Sequence, residues 1–471
     1  GFINEHQLAI GETTWGGRDE VARGNAEGID YGNLIYVALQ RARNCREAIR
    51  VMHELVSTYG YADGGESFSL ADPSEVWIFE IASKGDEKGA VWVARRVPDG
   101  YVCGHANQAR ITTFPREKRG SHASISSRNI KDIGRPEVEC VYSHDVCSFA
   151  RAKGWYGGTE ADFSFADTYN PLTFSGLRAC EARVWSMFNR VAGGMDRYRD
   201  YAMGNPQAER LPLWVKPDRK LDVQDAMALM RDHFEGTPMD MTQDVGAGPF
   251  RCPYRWRPME FEVDGVKYIH ERAISTQQTG FSFVAQCRGW LPAKLGGVLW
   301  FGVDDTYSTC YCPVYCGTTQ VPVCFEEGNG SMSRYSETAA FWLFNRVSNF
   351  CYLRYDAMIE DVRKVQRELE DGFVADERAH AARWAQRDDD ARLVGELNRF
   401  SNSKAEEMMR RWHELDRHLL MKYIDGNIKY ERDGKLETTA TGVVRFPQQP
   451  PYPEWFLRQI VDDHGETIRA R

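Results

Sequence analysis

Two strand-like runs, "SEVWIFEIA" and "GAVWVARRV", are separated only by the charged turn "SKGDEKG". A connection this short joins neighbouring antiparallel strands, because a parallel pair needs a crossover of a dozen or more residues. A second hairpin signal, the Asp-Gly turn of "EVDGVKY", lies 180 residues further on. The chain therefore builds its sheets by hairpins. Between these strands the helix signals come in blocks. "GNLIYVALQRA" and "NCREAIRVMHELVSTYG" read as two consecutive helices, the second capped by Asn44 with Glu47 three residues later and stopped at Gly60. "ACEARVWSMFNRVAGG" and "DVQDAMALMRDHF" read as further helices, and "HQLAIGETT", "ISTQQTGFSFVAQC" and "GGVLWFGVDD" as strands. Strand blocks separated by helix blocks indicate α+β layers rather than a doubly wound parallel sheet.

From Glu337 to Tyr423 the pattern turns helical and highly charged, then gives way to the Pro-rich strap "FPQQPPYPEW" and a short terminal helix. The expected division is a core over 1–336, a charged helical insertion or cap over 337–424, and a strap and helix returning to the core over 425–471. The long amphipathic helices suit a self-association surface, a homo-oligomer, and equally suit helices closing over a cleft.

Composition removes several classes of function. A net charge of −9 without any Lys/Arg-rich run argues against a nucleic-acid partner. No apolar stretch is long enough to span a bilayer. An aromatic content of 12% fits a wide core or a groove for small organic groups. Twelve cysteines are scattered, mostly in apolar runs where a reduced Cys acts as a small hydrophobe. The single cluster, Cys310 to Cys324, lacks the paired spacing of zinc sites, and the alternation in "STCYCPVY" fits a strand with Cys310 and Cys312 on one face. Reduced-looking cysteines lean toward the cytoplasm, but a removed signal peptide would leave no trace, so localisation stays unknown.

Motifs with chemistry are few. "HELDRH" sets His413 and His418 five apart, about 140° around a helix, which is wrong for a shared metal and reads as a solvated helix face. No serine-hydrolase elbow is present. "DGGESFSLAD" lacks the ending of a phosphate loop, and Gly64 and Gly65 mark either a plain turn or a place where a ligand approaches the backbone. "GVDD", with Asp304 and Asp305, reads as a strand end or cap rather than a cation site. The most unusual stretch is "YVCGHANQARI", where an apolar strand ends on Gly and is followed by His, Ala, Asn, Gln, Ala and Arg. It reads as a pocket rim rather than core. Its Asn107 is a donor suited to a developing oxyanion, and Arg183 of "EARVWSMFNR" is suited to a thiolate or a carboxylate. Both are assistants to a nucleophile, and each alone is a weak signal.

Six ordered stretches, "FINEHQLAIGETT", "GGESFSLADPSEVWIFEI", "PDGYVCGHANQARI", "ERAISTQQTGFSFV", "LPAKLGGVLWFGVDDTYST" and "YPEWFLRQ", together resemble the cysteine dipeptidases of the N-terminal-nucleophile (Ntn) hydrolase superfamily. The resemblance implies a four-layer αββα sandwich. It also implies amide hydrolysis by an N-terminal Cys whose own α-amine is the general base, with no cofactor and no metal. The substrate class it implies is dipeptides or short peptides with free amino termini. It places Asn107 beside the nucleophile and Arg183 next to the thiol as catalytic residues. Asn4, Glu12 and Thr14 then border the cleft along a strand edge, with Thr13 between the last two. Gly65, Glu66 and Ser67 are candidates for meeting the substrate, Glu66 through its ammonium. The acylase relatives carry an Asn donor near the position of Thr14, and this sequence does not. The family nucleophile precedes the "NE" motif at which this sequence starts, so the expectation is a Cys segment upstream of Gly1, without which the chain is inactive. The rivals are an acylase of the penicillin V or bile salt type and a catalytically inactive binding protein on the same scaffold.

Overall fold

The computed structural model describes residues 1–386 and 390–470, so Arg387–Asp389 of the charged helical stretch lie outside the described residues. The fold is α+β. A seven-stranded sheet is built from β1 (Phe2–Ile3), β2 (Ala9–Trp15), β3 (Gly65–Ala71), β4 (Val76–Ser83), β5 (Ala90–Arg96), β6 (Ser124–Ser126) and β7 (Cys140–Tyr142), in the spatial order β1-β2-β3-β4-β5-β7-β6. All pairs are antiparallel except β6–β7. The expected hairpin is β4–β5, in register from Trp77↔Arg96 to Ser83↔Ala90.

One face of this sheet carries Ile10, Phe68, Leu70, Trp77, Phe79, Ile81 and Trp92 against α1 (Tyr31–Arg41) and α2 (Cys45–Tyr59). Asn44 caps α2 by accepting from the Glu47 N–H, as its sequence implies, and Gly60 ends it with φ of 87°, a conformation that favours glycine. The opposite face carries Trp15, Ile78, Ala82, Val91 and Val93 against residues drawn from 109–169. Because strand side chains alternate, Glu12, Thr14 and Glu66 point with Ile10 and Phe68 toward α1 and α2. Thr13, Ser67, Ser69 and Glu80 point the other way.

The Asp-Gly hairpin forms as β8 (Glu260–Val263) and β9 (Val266–Ile269), with Asp264 and Gly265 both at positive φ. A three-stranded antiparallel sheet follows: β10 (Phe281–Gln286), β11 (Val298–Val303) and β12 (Cys312–Tyr315). Its Val298, Trp300, Cys312 and Tyr315 share one apolar core with α4 (Ala340–Cys351), α5 (Tyr355–Trp384) and α6 (Asp390–Tyr423). Helix α3 (Ala182–Asn189), which carries Arg183, precedes them in the chain, and the last helix is α7 (Glu454–Ile468). No helix among the described residues is long and apolar enough to cross a membrane.

Three local expectations change. "DVQDAMALMRDHF" is helical only over Val223–Leu229. Cys310 precedes β12 rather than lying in it, although both it and Cys312 are buried. "HELDRH" is not a solvated face, because Leu415 and Asp416 are buried and His418 Nε2 lies 3.2 Å from Glu431.

Candidate active site

The "HANQARI" stretch crosses the sheet face opposite α1 and α2, and nearly every polar atom in it is committed. His105 bonds the Thr13 hydroxyl through Nδ1 at 2.6 Å and the Ser69 hydroxyl through Nε2 at 2.7 Å. Burial holds its pKa down near 4, with the charges of Arg110 and Arg183 acting the same way, so the ring is neutral at physiological pH. Gln108 donates to the carbonyl of Asn170. Ala106, Gln108, Ala109 and Arg110 are buried, so the reading of this stretch as a rim holds only around Asn107.

Two buried acids fix the stretch. Both carboxylate oxygens of Glu80 on β4 accept backbone N–H groups, from Arg110 at 2.6 Å and from Ile111 at 2.9 Å. Arg110 is itself paired with Glu181 at 2.9 Å, and both side chains are almost fully buried. Glu181 stands two residues before Arg183. The same ion pair therefore ties the Asn107 loop to the helix that carries Arg183. Arg110 belongs to the unusual stretch of the sequence, but no motif marks Glu80 or Glu181; for Glu80 the available signal is a charged residue at a core position of an otherwise apolar strand.

Asn107 adopts the left-handed conformation, φ of 60°, which Asn tolerates better than most residues. Its Nδ2 donates to the Thr14 carbonyl at 2.5 Å, and its Oδ1 accepts from Arg183 at 2.7 Å. Arg183 also donates to the carbonyls of Ala179 and Ala106. These contacts set which end of the amide is nitrogen, and they leave one N–H of Nδ2 unused. Strand β1 pairs only with Ala9 and Ile10, so the Gly11–Trp15 edge of β2, where Asn107 sits, has no strand beside it among the described residues.

The remaining predicted residues divide between the two faces. Glu66 is buried on the helix side, accepts from the Thr14 hydroxyl at 2.6 Å and leaves Oε2 without a partner. Its pKa is pushed up to about 9, chiefly by burial and then by Glu12, whose carboxyl faces it. Ser67 is on the other side, accepting from Trp15 Nε1 at 3.2 Å. A Cβ at Gly65 would lie 2.2 Å from the Trp15 ring, and one at Gly64 would lie 2.7 Å from the Ala22 carbonyl oxygen, so packing alone requires glycine at both positions. Asn4 is spent on structure: it donates to the carbonyls of Leu39 and Ala42 and accepts from the N–H groups of His6 and Leu8. Asp304 and Asp305 end β11 as expected, Asp304 bonding Asn345 and Ser348, and Asp305 bonding Ser275 and the Tyr254 hydroxyl.

Each of the twelve thiols is free, and burial raises the pKa of each above that of an ordinary Cys. None is an activated thiolate at neutral pH. One trio, Asp361, His418 and Glu431, brings metal-ligating atoms together among the described residues. Lys422 Nζ already lies 2.8 Å from both carboxylates, so an ammonium holds the position a metal would need.

The chain is 23% identical over 366 residues to a probable dipeptidase of Latilactobacillus sakei, covering 75% of this chain and 65% of the relative. It is 22% identical to a probable dipeptidase B of Streptococcus pyogenes serotype M1, covering 68% and 56%, and 23% identical to a probable dipeptidase of Salmonella dublin, covering 66% and 61%. The matched part thus spans 56–65% of the length of these relatives. The model of Peptidase family C69 matches residues 1–368, and the chain belongs to that family.

Proposed function

We infer that the whole protein is a dipeptidase that hydrolyses short peptides with free amino termini. The nucleophile in this reading is an N-terminal Cys that is not among the twelve cysteines of this sequence. Its thiol attacks the scissile carbonyl and its α-amine takes the proton. Asn107 then donates its unused N–H to the oxygen that becomes negative, and Arg183 keeps the amide turned that way. The observation that carries this reading is the hydrogen-bond series Arg183–Asn107–Thr14, which presents one aimed donor at the open edge of β2. Membership of a peptidase family whose relatives include probable dipeptidases supports it.

Glu66 with Glu12 is the seat proposed for the substrate ammonium. Two carboxyl groups that face one another, one of them kept protonated by burial, form an arrangement in which a cation can take the place of the proton. We read the whole as a four-layer αββα sandwich. The ring of Phe283 on β10, which a Cβ at Gly11 would meet at 4.0 Å, supports packing of the smaller sheet on the sheet face away from α1 and α2. A panel of dipeptides, N-acyl amino acids, penicillin V and conjugated bile acids tests the function. Hydrolysis of dipeptides alone supports it. Hydrolysis of the acyl substrates instead assigns an acylase, and hydrolysis of none assigns a binding protein.

A further inference from the structure

The turn that carries Asn107 is held between α3 and β2. On the α3 side the contact is made by backbone: a Cβ at Gly104 would lie 2.1 Å from Cε of Met187 and 3.7 Å from Cγ1 of Val184. Arg110 Nη1 donates to the Gly104 carbonyl at 2.9 Å, and Arg183 donates to the Ala106 carbonyl and to Asn107. On the sheet side two side chains of the turn reach out. Asn107 donates to the Thr14 carbonyl, and His105 bonds the hydroxyls of Thr13 and Ser69. Asn107 is the aimed donor of the site, and His105 stands two residues before it.

Strands β2 and β3 pair with Gly11 opposite Ser69 and Thr13 opposite Ser67. Thr13 and Ser69 are therefore diagonal neighbours on one sheet face, about 7–8 Å apart. A neutral imidazole carries one donor and one acceptor on opposite sides of its ring, and a hydroxyl can take either role. The His105 ring spans the diagonal, with Thr13 Oγ1 at 2.6 Å from Nδ1 and Ser69 Oγ at 2.7 Å from Nε2. One side chain thus fixes the turn against two strands at once. The two bonds are unequal. Ser69 is exposed, so its bond competes with water, whereas Thr13 is half-buried. The bond to Thr13 and the bond from Asn107 to the Thr14 carbonyl are consecutive stitches between the same two segments.

We propose that His105 is a positioning residue for the hydrolysis: by bridging Thr13 and Ser69 it seats the Asn107 turn on β2 and so fixes where the Asn107 donor lies. The proposal rests on the dipeptidase reading and adds to it the residue that places its oxyanion donor. Arg183 decides which way the amide faces, and His105 decides how far it stands from the strand. An oxyanion donor acts at about 2.7–3.1 Å from the charge it meets. A misplacement of about 1 Å costs about 100-fold in rate. Loss of the bridge therefore falls on kcat, while KM, set at the ammonium seat on Glu12 and Glu66, stays nearly unchanged.

The test uses the whole protein and the dipeptide Ala-Phe. His105→Phe keeps a ring and removes both bonds; it is expected to lower kcat about 30- to 100-fold with KM changed less than about threefold. His105→Asn, which restores a polar group near the place of Nδ1, is expected to recover about tenfold of that loss. His105→Gln, which restores one near Nε2, is expected to recover less. In an Asn107→Ala background His105→Phe is expected to cost less than about threefold more, because two residues acting through one contact are not additive. Full kcat in His105→Phe, a loss confined to KM, losses that multiply in the double variant, or a Gln variant better than the Asn variant each overturn the proposal. If His105→Phe does not fold, Thr13→Val removes the half-buried bond and carries the same expectations for kcat, KM and the double variant. The side-chain amide signal of Asn107, read by NMR with isotopically labelled asparagine and identified by its absence in Asn107→Ala, separates the proposal from the dipeptidase reading. If no peptide is cleaved, a signal that shifts and exchanges faster in His105→Phe upholds the positioning and sinks the dipeptidase reading. A signal identical in wild type and His105→Phe overturns the positioning, whatever the peptides do.

Discussion

Arg183 donates to Oδ1 of Asn107 at 2.7 Å, and that single contact decides which end of the Asn107 amide faces the open edge of β2. A neutral Asn free to rotate would offer a donor half of the time. One pinned by a partly buried guanidinium and by the Thr14 carbonyl offers it always, with no reorganisation left for the moment of reaction.

Removing the Asn107 side chain is expected to lower kcat of the whole protein by about 100- to 1000-fold, the usual effect of losing one oxyanion donor. Asn107→Gly and Asn107→Ala should do this equally. They should differ in stability, because φ of 60° suits Gly and strains Ala by about 1 kcal/mol. Kinetics together with urea unfolding of the two variants checks both statements.

The Arg110–Glu181 pair predicts a large stability loss from a conservative change. Both side chains are nearly without solvent contact, so Glu181→Gln leaves a guanidinium buried without its counter-charge. The expected loss is about 3–5 kcal/mol, well above that of an exposed ion pair. Loss below about 1 kcal/mol in chemical denaturation would refute the tie between the Asn107 loop and α3.

Glu80 predicts a pH dependence with a defined sign. Burial, outweighing two backbone N–H donors, lifts its pKa from 4.5 to about 7. Between those values the native state holds a proton that the unfolded chain has released. Its contribution to stability is therefore full below about pH 4.5 and is lost as pH rises through about 7. The difference amounts to about 3 kcal/mol. Unfolding free energies at pH 5 and pH 8 should fall by about that amount more in wild type than in Glu80→Gln, and equal slopes would show that Glu80 does not titrate in this window.

Glu66 predicts a proton count on binding. With its pKa near 9 beside Glu12, it is protonated at neutral pH, and an arriving ammonium displaces that proton. Calorimetric titration of the whole protein with a slowly cleaved dipeptide, in buffers of different ionisation enthalpy, should show release of up to one proton at pH 7. Glu66→Gln should abolish the release and raise KM.

How much was legible in the sequence follows the range of the interactions. The β4–β5 hairpin, the Asp-Gly hairpin and the Asn44 cap each rest on residues within a few positions of one another, and all three form as expected. Asn107 and Arg183 were singled out as separate weak signals, and their partnership spans 76 positions, a distance at which no local pattern operates. Glu80 and Glu181 were missed because a lone carboxylate in a run of apolar residues looks the same whether it faces water or anchors a loop. Gly65 and Asn4 are ambiguous for the opposite reason. A glycine and an asparagine suit ligand contact and chain packing alike, and here the Trp15 ring and the end of α1 claim them.

The central claim is a peptidase whose nucleophile is a Cys other than the twelve present here, served by Asn107 and Arg183. It is tested most directly by alkylating the whole protein with iodoacetamide, following dipeptide hydrolysis, and mapping the adduct by mass spectrometry. The account predicts that activity falls in step with modification of one Cys at the mature amino terminus. Activity lost in step with an adduct on any of the twelve, or hydrolysis that survives full alkylation, would contradict it.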